Sequence, residues 1–315
     1  MDKKRHLKKF ENQSAYESQK DEVMGMPHVV LVNDTKEVFY STYNDYYLCF
    51  ESIENASYSL HIGSAFTETI ETYASLYYSI DGCNTWTLLP MNIEENITYS
   101  TPIIEKGKRI YWKGDFDFEK NQYTPRLQGT DKFSIKGNIM SLVYGDDFKD
   151  KLEIKEYQFC YLFSDNHNII SAKNLILPAK KLSNSCYRHM FNGCASLVEV
   201  PQLPATELSY RCYNGMFWGC TSLTKAPKLI AEQIDEMCYG SMFVDCTSLI
   251  EAPELPATTL AKECYHYMFQ NCTSLTKAPE LPAVNLAHNC YYSMFDGCTS
   301  LTKAPELPAT TLAQG

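Results

Sequence analysis

The twelve residues Cys290-Tyr291-Tyr292-Ser293-Met294-Phe295-Asp296-Gly297-Cys298-Thr299-Ser300-Leu301 are the last of five copies of one pattern, C-Y-x-x-M-F-x-x-C-x-S-L. The copies begin at Cys186, Cys212, Cys238, Cys264 and Cys290, so the period is 26 residues throughout. Each copy continues into a proline-containing segment such as Ala304-Pro305-Glu306-Leu307-Pro308-Ala309. A fixed period of this size is typical of repeat proteins, and it decides the fold of the carboxyl-terminal half.

The spacing inside one copy predicts a short helix and a short strand. Between Cys290 and Cys298, residues of the repeat pattern fall at i, i+1, i+4, i+5 and i+8, which fits one face of a helix. The next segment has Pro305 and Pro308 three residues apart, and proline is excluded from helix interiors because it lacks a donor and clashes with the preceding turn. We therefore predict a short strand or extended arm there, with Leu301, Ala304 and Leu307 facing the core.

A single copy is too small to fold alone. The burial of its few apolar side chains stabilises one copy by less than the conformational entropy that is lost when its 26 residues become ordered. Stacked copies share their apolar faces, so we predict a solenoid whose core is a set of columns. The predicted core residues are Cys186, Tyr187, Met190, Phe191, Cys194, Cys212, Met216, Phe217, Cys220, Cys238, Met242, Phe243, Cys246, Cys264, Met268, Phe269, Cys272, Cys290, Met294, Phe295 and Cys298.

The order C-x-S-L-x-x-A-P-x-L-P, followed by a further Leu and then Y-x-x-M-F-x-x-C, resembles the BspA-type (Treponema-like) leucine-rich repeat. The resemblance covers residues 157–315, and it implies a leucine-rich-repeat solenoid. Proteins with this repeat are surface proteins of oral and gut anaerobes, so the resemblance implies adhesion to glycoproteins at a cell surface. The present repeat is longer than the usual unit and has Ala-Pro where many members have a β-branched residue and Leu.

Residues 28–134 have strand patterns in place of the repeat. Short runs rich in Val, Tyr and Phe recur about every 8–12 residues, and Asp81-Gly82 and Lys106-Gly107 each predict a hairpin. We predict about eight strands in an antiparallel β-sandwich, and a surface loop over Asp115–Asp131. The expected fold class of the chain is α+β: this β-sandwich, followed by a solenoid with one short strand and one short helix per repeat.

Residues 135–184 are predicted to cap the solenoid. They contain a degenerate copy of the repeat, in which Leu162-Phe163 stands two residues early relative to Met190-Phe191. Terminal repeats are atypical because their outer face contacts something other than another copy, and we expect the sandwich to cover this one. The regular copies occupy residues 185–315. Because the sequence stops where another Cys-Tyr pair would come, we expect either a longer array or a partner over that end.

Residues 1–27 form a polar segment, in which Met1–Lys20 holds six Lys or Arg against three acids and no apolar run of a signal peptide. One interpretation is a solvated tail leading into a helix over Lys9–Met24. The other is a resemblance: Lys8–Lys20, K-K-F-E-N-Q-S-A-Y-E-S-Q-K, and Pro27–Tyr40, P-H-V-V-L-V-N-D-T-K-E-V-F-Y, are similar to the start of virion or fibre proteins from phages of gut Bacteroidales. That resemblance implies an attachment segment that docks on other virion proteins.

The thirteen cysteines do not follow the spacing of a disulfide or zinc site. Cys290 and Cys298 would lie about 12 Å apart along a helix, and a disulfide needs Cα atoms roughly 4.4–6.8 Å apart. Zinc sites use short ligand spacings, and the histidines follow no period here. We predict buried structural thiols, no metal and no cofactor. Motifs of nucleotide binding or hydrolysis are lacking as well, so we do not expect an enzyme.

The net charge of −10 argues against a nucleic-acid partner, and the sequence has no apolar run of 18 residues that would span a membrane. Charged residues at one repeat position are predicted to pair between neighbouring copies. That predicted ladder is Glu199, Lys225, Glu251, Lys277 and Lys303.

Binding residues are expected at the positions that the repeat leaves free, namely the two after Tyr and the two after Phe. Residue types that act as binding anchors occur there at Arg188, His189, Trp218, His266, Tyr267 and Tyr292. The alternative is that free positions vary without a role.

We therefore expect a non-enzymatic recognition protein that presents a leucine-rich-repeat surface to a protein or glycan partner on a cell surface. It would act either as a phage virion or tail-fibre protein or as a bacterial surface adhesin. A purely structural spacer is the remaining alternative.

Overall fold

The computed structural model describes residues 46–61, 75–89, 99–115 and 126–309, together with the backbone of the strands at 8–10, 28–32 and 38–42. These residues form mainly strands, with one short helix, α1 (Ser141–Tyr144), followed by a 3₁₀ turn at Gly145–Asp147. The predicted tail helix over Lys9–Met24 falls largely outside the described residues, although its first two residues lie in a strand.

Eleven strands precede the repeats in the described part of the chain. In chain order they are β1 (Lys8–Phe10), β2 (His28–Val32), β3 (Val38–Thr42), β4 (Leu48–Ser52), β5 (Tyr58–His61), β6 (Leu76–Ser79), β7 (Thr87–Leu89), β8 (Arg109–Gly114), β9 (Arg126–Gly129), β10 (Phe133–Asn138) and β11 (Ile169–Ile176). They form a six-stranded sheet in the order β11-β10-β4-β8-β6-β7, a pair β5-β9, and a three-stranded sheet β1-β3-β2.

Aromatic residues pack the six-stranded sheet against β5 and the degenerate copy of the repeat. Phe50 on β4 contacts four rings, those of Tyr58, Trp112, Phe133 and Phe163, with centroid distances of 5.0–6.1 Å. All five side chains are fully buried. One hydrophobic cluster extends from Leu48 in this sheet to Cys298 in the last repeat, so the sheet and the repeats share a core.

The predicted antiparallel β-sandwich is corrected to a mixed sheet. Its strand β10 pairs antiparallel with β4 but parallel with β11, which comes from the predicted cap. β10 also runs across the boundary predicted between residues 134 and 135. The predicted loop Asp115–Asp131 contains β9, which pairs with β5. Strands that are far apart in sequence can pair without any pattern in their local sequences. The alternation of apolar and polar residues therefore does not predict which strands pair.

Of the two predicted hairpins, one is confirmed. β6 and β7 pair antiparallel around Asp81-Gly82, and the Asp81 carboxylate accepts hydrogen bonds from the Asn84 and Thr85 backbone amides, both at 3.0 Å. The hairpin predicted at Lys106-Gly107 is wrong. The chain does turn there, but Ile104 bridges to Ala56, whereas β8 pairs with β4 and β6.

The repeat segments predicted as helices are ribbons of consecutive turns. In the second copy, the Cys212, Asn214 and Met216 amides donate to the carbonyl three residues earlier, at 3.1 Å each. The alternate amides, of Tyr213, Gly215 and Phe217, donate to carbonyls of the next copy, at 2.9–3.0 Å. No α-helix forms anywhere between residues 185 and 309, all of which are described.

A left-handed residue at every fourth position prevents a helix. In the second copy these residues are Arg211, Gly215 and Gly219, with φ of 55°, 60° and 71°. An α-helix requires φ near −63° throughout, so this backbone turns back every four residues and presents alternate amides to its neighbour. The apolar pairs Cys-Tyr and Met-Phe are also four residues apart, which places them together on the inner side of the ribbon.

The predicted strand of each repeat is reduced to single bridges. Ala304 and Leu307 of the last copy, predicted to face the core, are exposed, whereas Leu255 and Leu281 at the position of Leu307 are buried because another copy follows theirs. Two ladders of parallel bridges connect the copies, one through Glu207, Gln233 and Thr259, the other through Lys225, Glu251 and Lys277. The second ladder is the predicted charge ladder, but within the described residues Lys225 and Glu251 form no ion pair. The ion pairs that span neighbouring copies are Lys173–Glu199, Lys181–Glu207 and Glu236–Lys262, at 3.2–3.3 Å.

Columns of identical side chains fill the inside of the repeats. The rings of Tyr213, Tyr239 and Tyr265 stack at 5.8–5.9 Å and within 7° of parallel, and a phenylalanine column runs beside them. All predicted core residues are buried except Phe295, which is half-buried in the last described copy. The degenerate copy joins these columns, since Phe163 stacks on Phe191 at 5.3 Å.

All thirteen cysteines are free thiols, and all except the half-buried Cys83 are buried. The second cysteine of each copy donates to a phenylalanine carbonyl of the preceding copy. The Cys220 Sγ lies 3.3 Å from the Phe191 oxygen, and the Cys246 Sγ lies 3.1 Å from the Phe217 oxygen. A thiol at this position is therefore both an apolar core group and a weak donor that connects two copies.

Candidate functional site

Three of the predicted binding residues come together at the start of the repeat array. Arg188, His189 and Trp218 lie on the outer side of the first two ribbons, beside Tyr161 and Arg126. We call these five residues the arginine–aromatic cluster. Tyr161 belongs to the degenerate copy and Arg126 to β9, so the cluster forms where the sheet meets the repeats.

Tyr161 is the centre of the cluster. The imidazole of His189 stacks on its ring at 4.8 Å, with 17° between the planes. The guanidinium carbons of Arg126 and Arg188 both lie 5.8 Å from the centroid of the same ring. Arg126 also pairs with Asp165, whereas Arg188 has no ion pair within the described residues. The cluster therefore carries a net positive charge around an aromatic face.

His189 lies beneath the cluster surface. It is 8% exposed and adopts φ of 53°, and its ring occupies the space over Gly215, where a Cβ would come within 2.3 Å of two ring atoms. Burial lowers the pKa of His189 to about 4, so the ring is neutral at pH 7. Two buried nitrogens of the cluster, His189 Nδ1 and Arg188 Nε, have no hydrogen-bond partner among the described residues.

Trp218 is the exposed aromatic member of the cluster, at 38%. Its ring lies 5.9 Å from His189, and its Nε1 donates to Asp245 Oδ2 at 3.0 Å. The other oxygen of Asp245 accepts from Asn271 Nδ2 at 2.8 Å. The indole is thus fixed in orientation by a polar chain that continues two copies along the array.

The other three predicted binding residues form a second group, which we call the tyrosine cluster. Tyr267 and Tyr292 meet edge to face at 5.3 Å, and His266 lies 5.5 Å from Tyr267. Tyr292 is 52% exposed, and a hydrogen bond with Tyr292 raises the pKa of Tyr267. The His266 Nδ1 lies 2.6 Å from the Glu263 carbonyl oxygen. Both clusters lie on the ribbon face, meaning the outer side of the turn ribbons.

Tyr161 and Arg126 are members of the cluster that the sequence patterns did not predict. Tyr161 stands at the same ribbon position as His189, and φ of 60° and 53° marks both as left-handed. Alignment of the degenerate copy with its two-residue offset would have identified it. Arg126 is brought in by β9, and nothing in its local sequence indicates this contact.

The ribbon face presents aromatic rings, two guanidinium groups and oriented amides and carboxylates. Such groups stack on sugar rings or apolar side chains and bind carboxylates, as hot-spot residues do at interfaces. Among the described residues, no group of three or more His, Cys, Asp or Glu is arranged to hold a metal ion.

Comparisons of the chain with protein-family models, with curated proteins and with solved structures found no match.

In the part of the chain that the structure describes, no helix is long and apolar enough to cross a membrane.

Proposed function

We propose that this chain is a non-enzymatic recognition protein whose repeats form a leucine-rich-repeat solenoid. The hydrogen bonds and stacked rings that connect each copy to the next support the solenoid. The ribbon face would contact a protein or glycan on a cell surface. The observation that carries the proposal is the arginine–aromatic cluster, in which Arg126 and Arg188 share the Tyr161 ring.

On the ribbon face, a side chain outside the core is held in one orientation by a hydrogen bond. This favours a binding role over the alternative that the free positions vary without a role. Trp218 is 38% exposed, yet its indole nitrogen is bound to Asp245. Arg126 is paired with Asp165, whereas Arg188 has no ion pair within the described residues, so the Arg188 guanidinium is available to bind a carboxylate of a ligand. A purely structural spacer does not need such an arrangement.

The place of action is proposed from the resemblance of Lys8–Lys20 and Pro27–Tyr40 to virion or fibre proteins of gut Bacteroidales phages. On this proposal, the amino-terminal segment attaches to other virion proteins, and the repeats bind the bacterial surface. The alternative is a bacterial adhesin of the BspA type that binds host glycoproteins.

The test uses the full chain, because a cut between residues 134 and 135 would sever β10. Intact protein is incubated with gut Bacteroidales cells, with phage particles and with immobilised host glycoproteins, and retention is measured. The binding variant carries Trp218→Ser, Tyr267→Ser and Tyr292→Ser. The control variant carries Ile103→Ser, Ile250→Ser and Val284→Ser, three exposed apolar residues outside both clusters.

We expect the binding variant to keep its unfolding midpoint and to lose at least tenfold in retention, with the control variant unchanged. Retention by bacterial cells and by particles supports the virion protein, whereas retention by host glycoproteins supports the adhesin. Equal retention of both variants contradicts binding through the ribbon face, and no retention by any target favours the spacer.

A further inference from the structure

Two grooves lie between the proline-containing arms of neighbouring copies, at corresponding repeat positions. The first has a volume of about 630 Å³ and lies between residues 198–204 and 225–230, beside Lys173 and Lys180. The second has a volume of about 660 Å³ and lies between residues 276–282 and 302–308. The arms that form the two grooves correspond residue by residue, so the grooves can be compared by the side chains that line them.

The first groove carries an excess of positive charge, whereas positive and negative charges are equal in number in the second. Four lysines and one glutamate line the first, and the glutamate, Glu199, is paired with Lys173 at 3.3 Å. Lys180, Lys225 and Lys228 have no ion-pair partner in the described chain, which leaves three uncompensated positive charges. Two lysines and two glutamates line the second groove.

This difference arises because the arms of the first two copies, which line the first groove, depart from the pattern of the other three, and Gln202 in the first copy stands where those three have a glutamate. The arm of the second copy reads Ala226-Pro227-Lys228-Leu229-Ile230, whereas the next three copies have A-P-E-L-P at these positions. Lys228 thus replaces a glutamate, and Ile230 replaces a proline. Ile230 is 39% exposed and Val198 is 47% exposed, and both line the groove. The two departures therefore add a positive charge and an exposed aliphatic group to one site.

We infer that the first groove binds an acidic polypeptide segment in an extended conformation, with an aliphatic side chain against Val198 and Ile230. Its volume is in the range of specific binding sites. Lysines without partners favour carboxylates over any neutral ligand. A sugar polymer is disfavoured because no aromatic side chain lines the groove to stack on its rings. This site is distinct from both clusters of the ribbon face.

The experiment measures fluorescence anisotropy of a labelled peptide, acetyl-Glu-Glu-Leu-Glu-Glu-amide, with the full chain at low and high salt. The loss variant, Lys228→Glu with Ile230→Pro, converts the arm to a sequence that three other copies already carry. Its fold is therefore supported by the chain itself, and the Ile230 amide donates no backbone hydrogen bond within the described residues. The reciprocal variant, Glu280→Lys with Pro282→Ile, gives the second groove the lysine and isoleucine of the first.

We expect the loss variant to weaken peptide binding at least tenfold, and the reciprocal variant to strengthen total binding at least twofold. High salt should weaken binding to the wild-type chain, because exposed charge pairs are screened. Lys106→Glu, which changes the net charge by the same amount as Lys228→Glu at an exposed residue outside both grooves, is the control for net charge and should change binding less than twofold. An equal loss in that control overturns the inference, as does no binding by the wild-type chain. Alginate that binds in place of the peptide, with the same dependence on Lys228, also overturns it in favour of a polysaccharide site.

Discussion

Three tyrosine hydroxyls inside the repeats, those of Tyr187, Tyr213 and Tyr265, are buried and have no hydrogen-bond partner in the described chain. Each belongs to the stacked tyrosine column, whose first member is Phe159. Phe159 stacks on Tyr187 at 5.9 Å and 11°, so the column already accepts a ring without a hydroxyl. We therefore predict that Tyr213→Phe stabilises the protein.

The expected gain follows from the desolvation of the hydroxyl. A buried polar group that loses its hydrogen bonds to water costs about 1–3 kcal/mol, and Phe removes that cost while leaving the ring in place. Tyr213 stacks on Tyr187 and Tyr239 at 5.8 and 5.9 Å, and both contacts remain in the variant. The free energy of unfolding should therefore rise by about 1–3 kcal/mol. In a chain of 315 residues, the thermal midpoint should rise by about 1–2 °C for each kcal/mol.

Tyr58 provides the matched control. It is as fully buried as Tyr213, but its hydroxyl lies 2.8 Å from Ser52 Oγ and is hydrogen-bonded to it. Tyr58→Phe leaves the serine without its partner, so it should destabilise the protein by about 1 kcal/mol. Urea unfolding followed by far-ultraviolet circular dichroism measures both variants. A loss of stability in both would show that the Tyr213 hydroxyl has a partner, and the reasoning would be wrong.

Three further predictions follow from burial and stacking. Phe243→Ala, which removes a ring between two stacked neighbours, should cost about 3–5 kcal/mol in urea unfolding, whereas Phe295→Ala in the half-buried last copy should cost less than half as much; equal costs would contradict the stacking argument. Because the pKa of His189 is lowered to about 4, its native form resists protonation, so stability falls as pH drops from about 6.5 towards 4. At pH 4.5 the loss should be about 2–3 kcal/mol, and a titration of His189→Asn, which tolerates the left-handed backbone, should lack that loss. Burial raises the pKa of both Cys212 and Cys83 to about 12, so accessibility decides the order in which the two thiols react. Iodoacetamide at pH 8 should therefore modify the half-buried Cys83 first and the buried Cys212 only in urea, as mass spectrometry can determine.

The period of the repeats, their stacking and their buried positions could be predicted from the sequence. The backbone conformation of each copy, a ribbon of turns in place of a helix, could not. Residues at i, i+4 and i+8 spread over about 80° of a helix, which fits the stripe of an amphipathic helix as well as it fits a four-residue ribbon. One feature of the sequence does distinguish a four-residue ribbon from a helix. The residue before the second cysteine is Gly193, Gly219, Asp245, Asn271 or Gly297, and these are the types that adopt the left-handed conformation most easily.

The candidate sites also contain some residues that could be predicted from the sequence and some contacts that depend on the fold. Arg188 and Trp218 could be predicted from residue type alone, because a regular repeat makes unusual residues at its free positions visible. The contact of Arg126 with Tyr161 depends on how β9 packs against the degenerate copy, and contacts between residues so far apart in sequence produce no periodic pattern. Lys228 and Ile230 are visible as exceptions to the repeat, but their position along one groove follows from the packing of neighbouring arms.

The alternating hydrogen bonds of the ribbons also determine how this array can change in length during evolution. Each copy offers amides to its successor and carbonyls to its predecessor at the same positions, so every junction is interchangeable with every other. Duplication or deletion of one whole unit re-creates a junction that already exists, whereas an insertion of any other length shifts the left-handed residues out of register. The array can therefore grow or shrink only in whole copies, each of which adds 5.7–5.8 Å along the phenylalanine column.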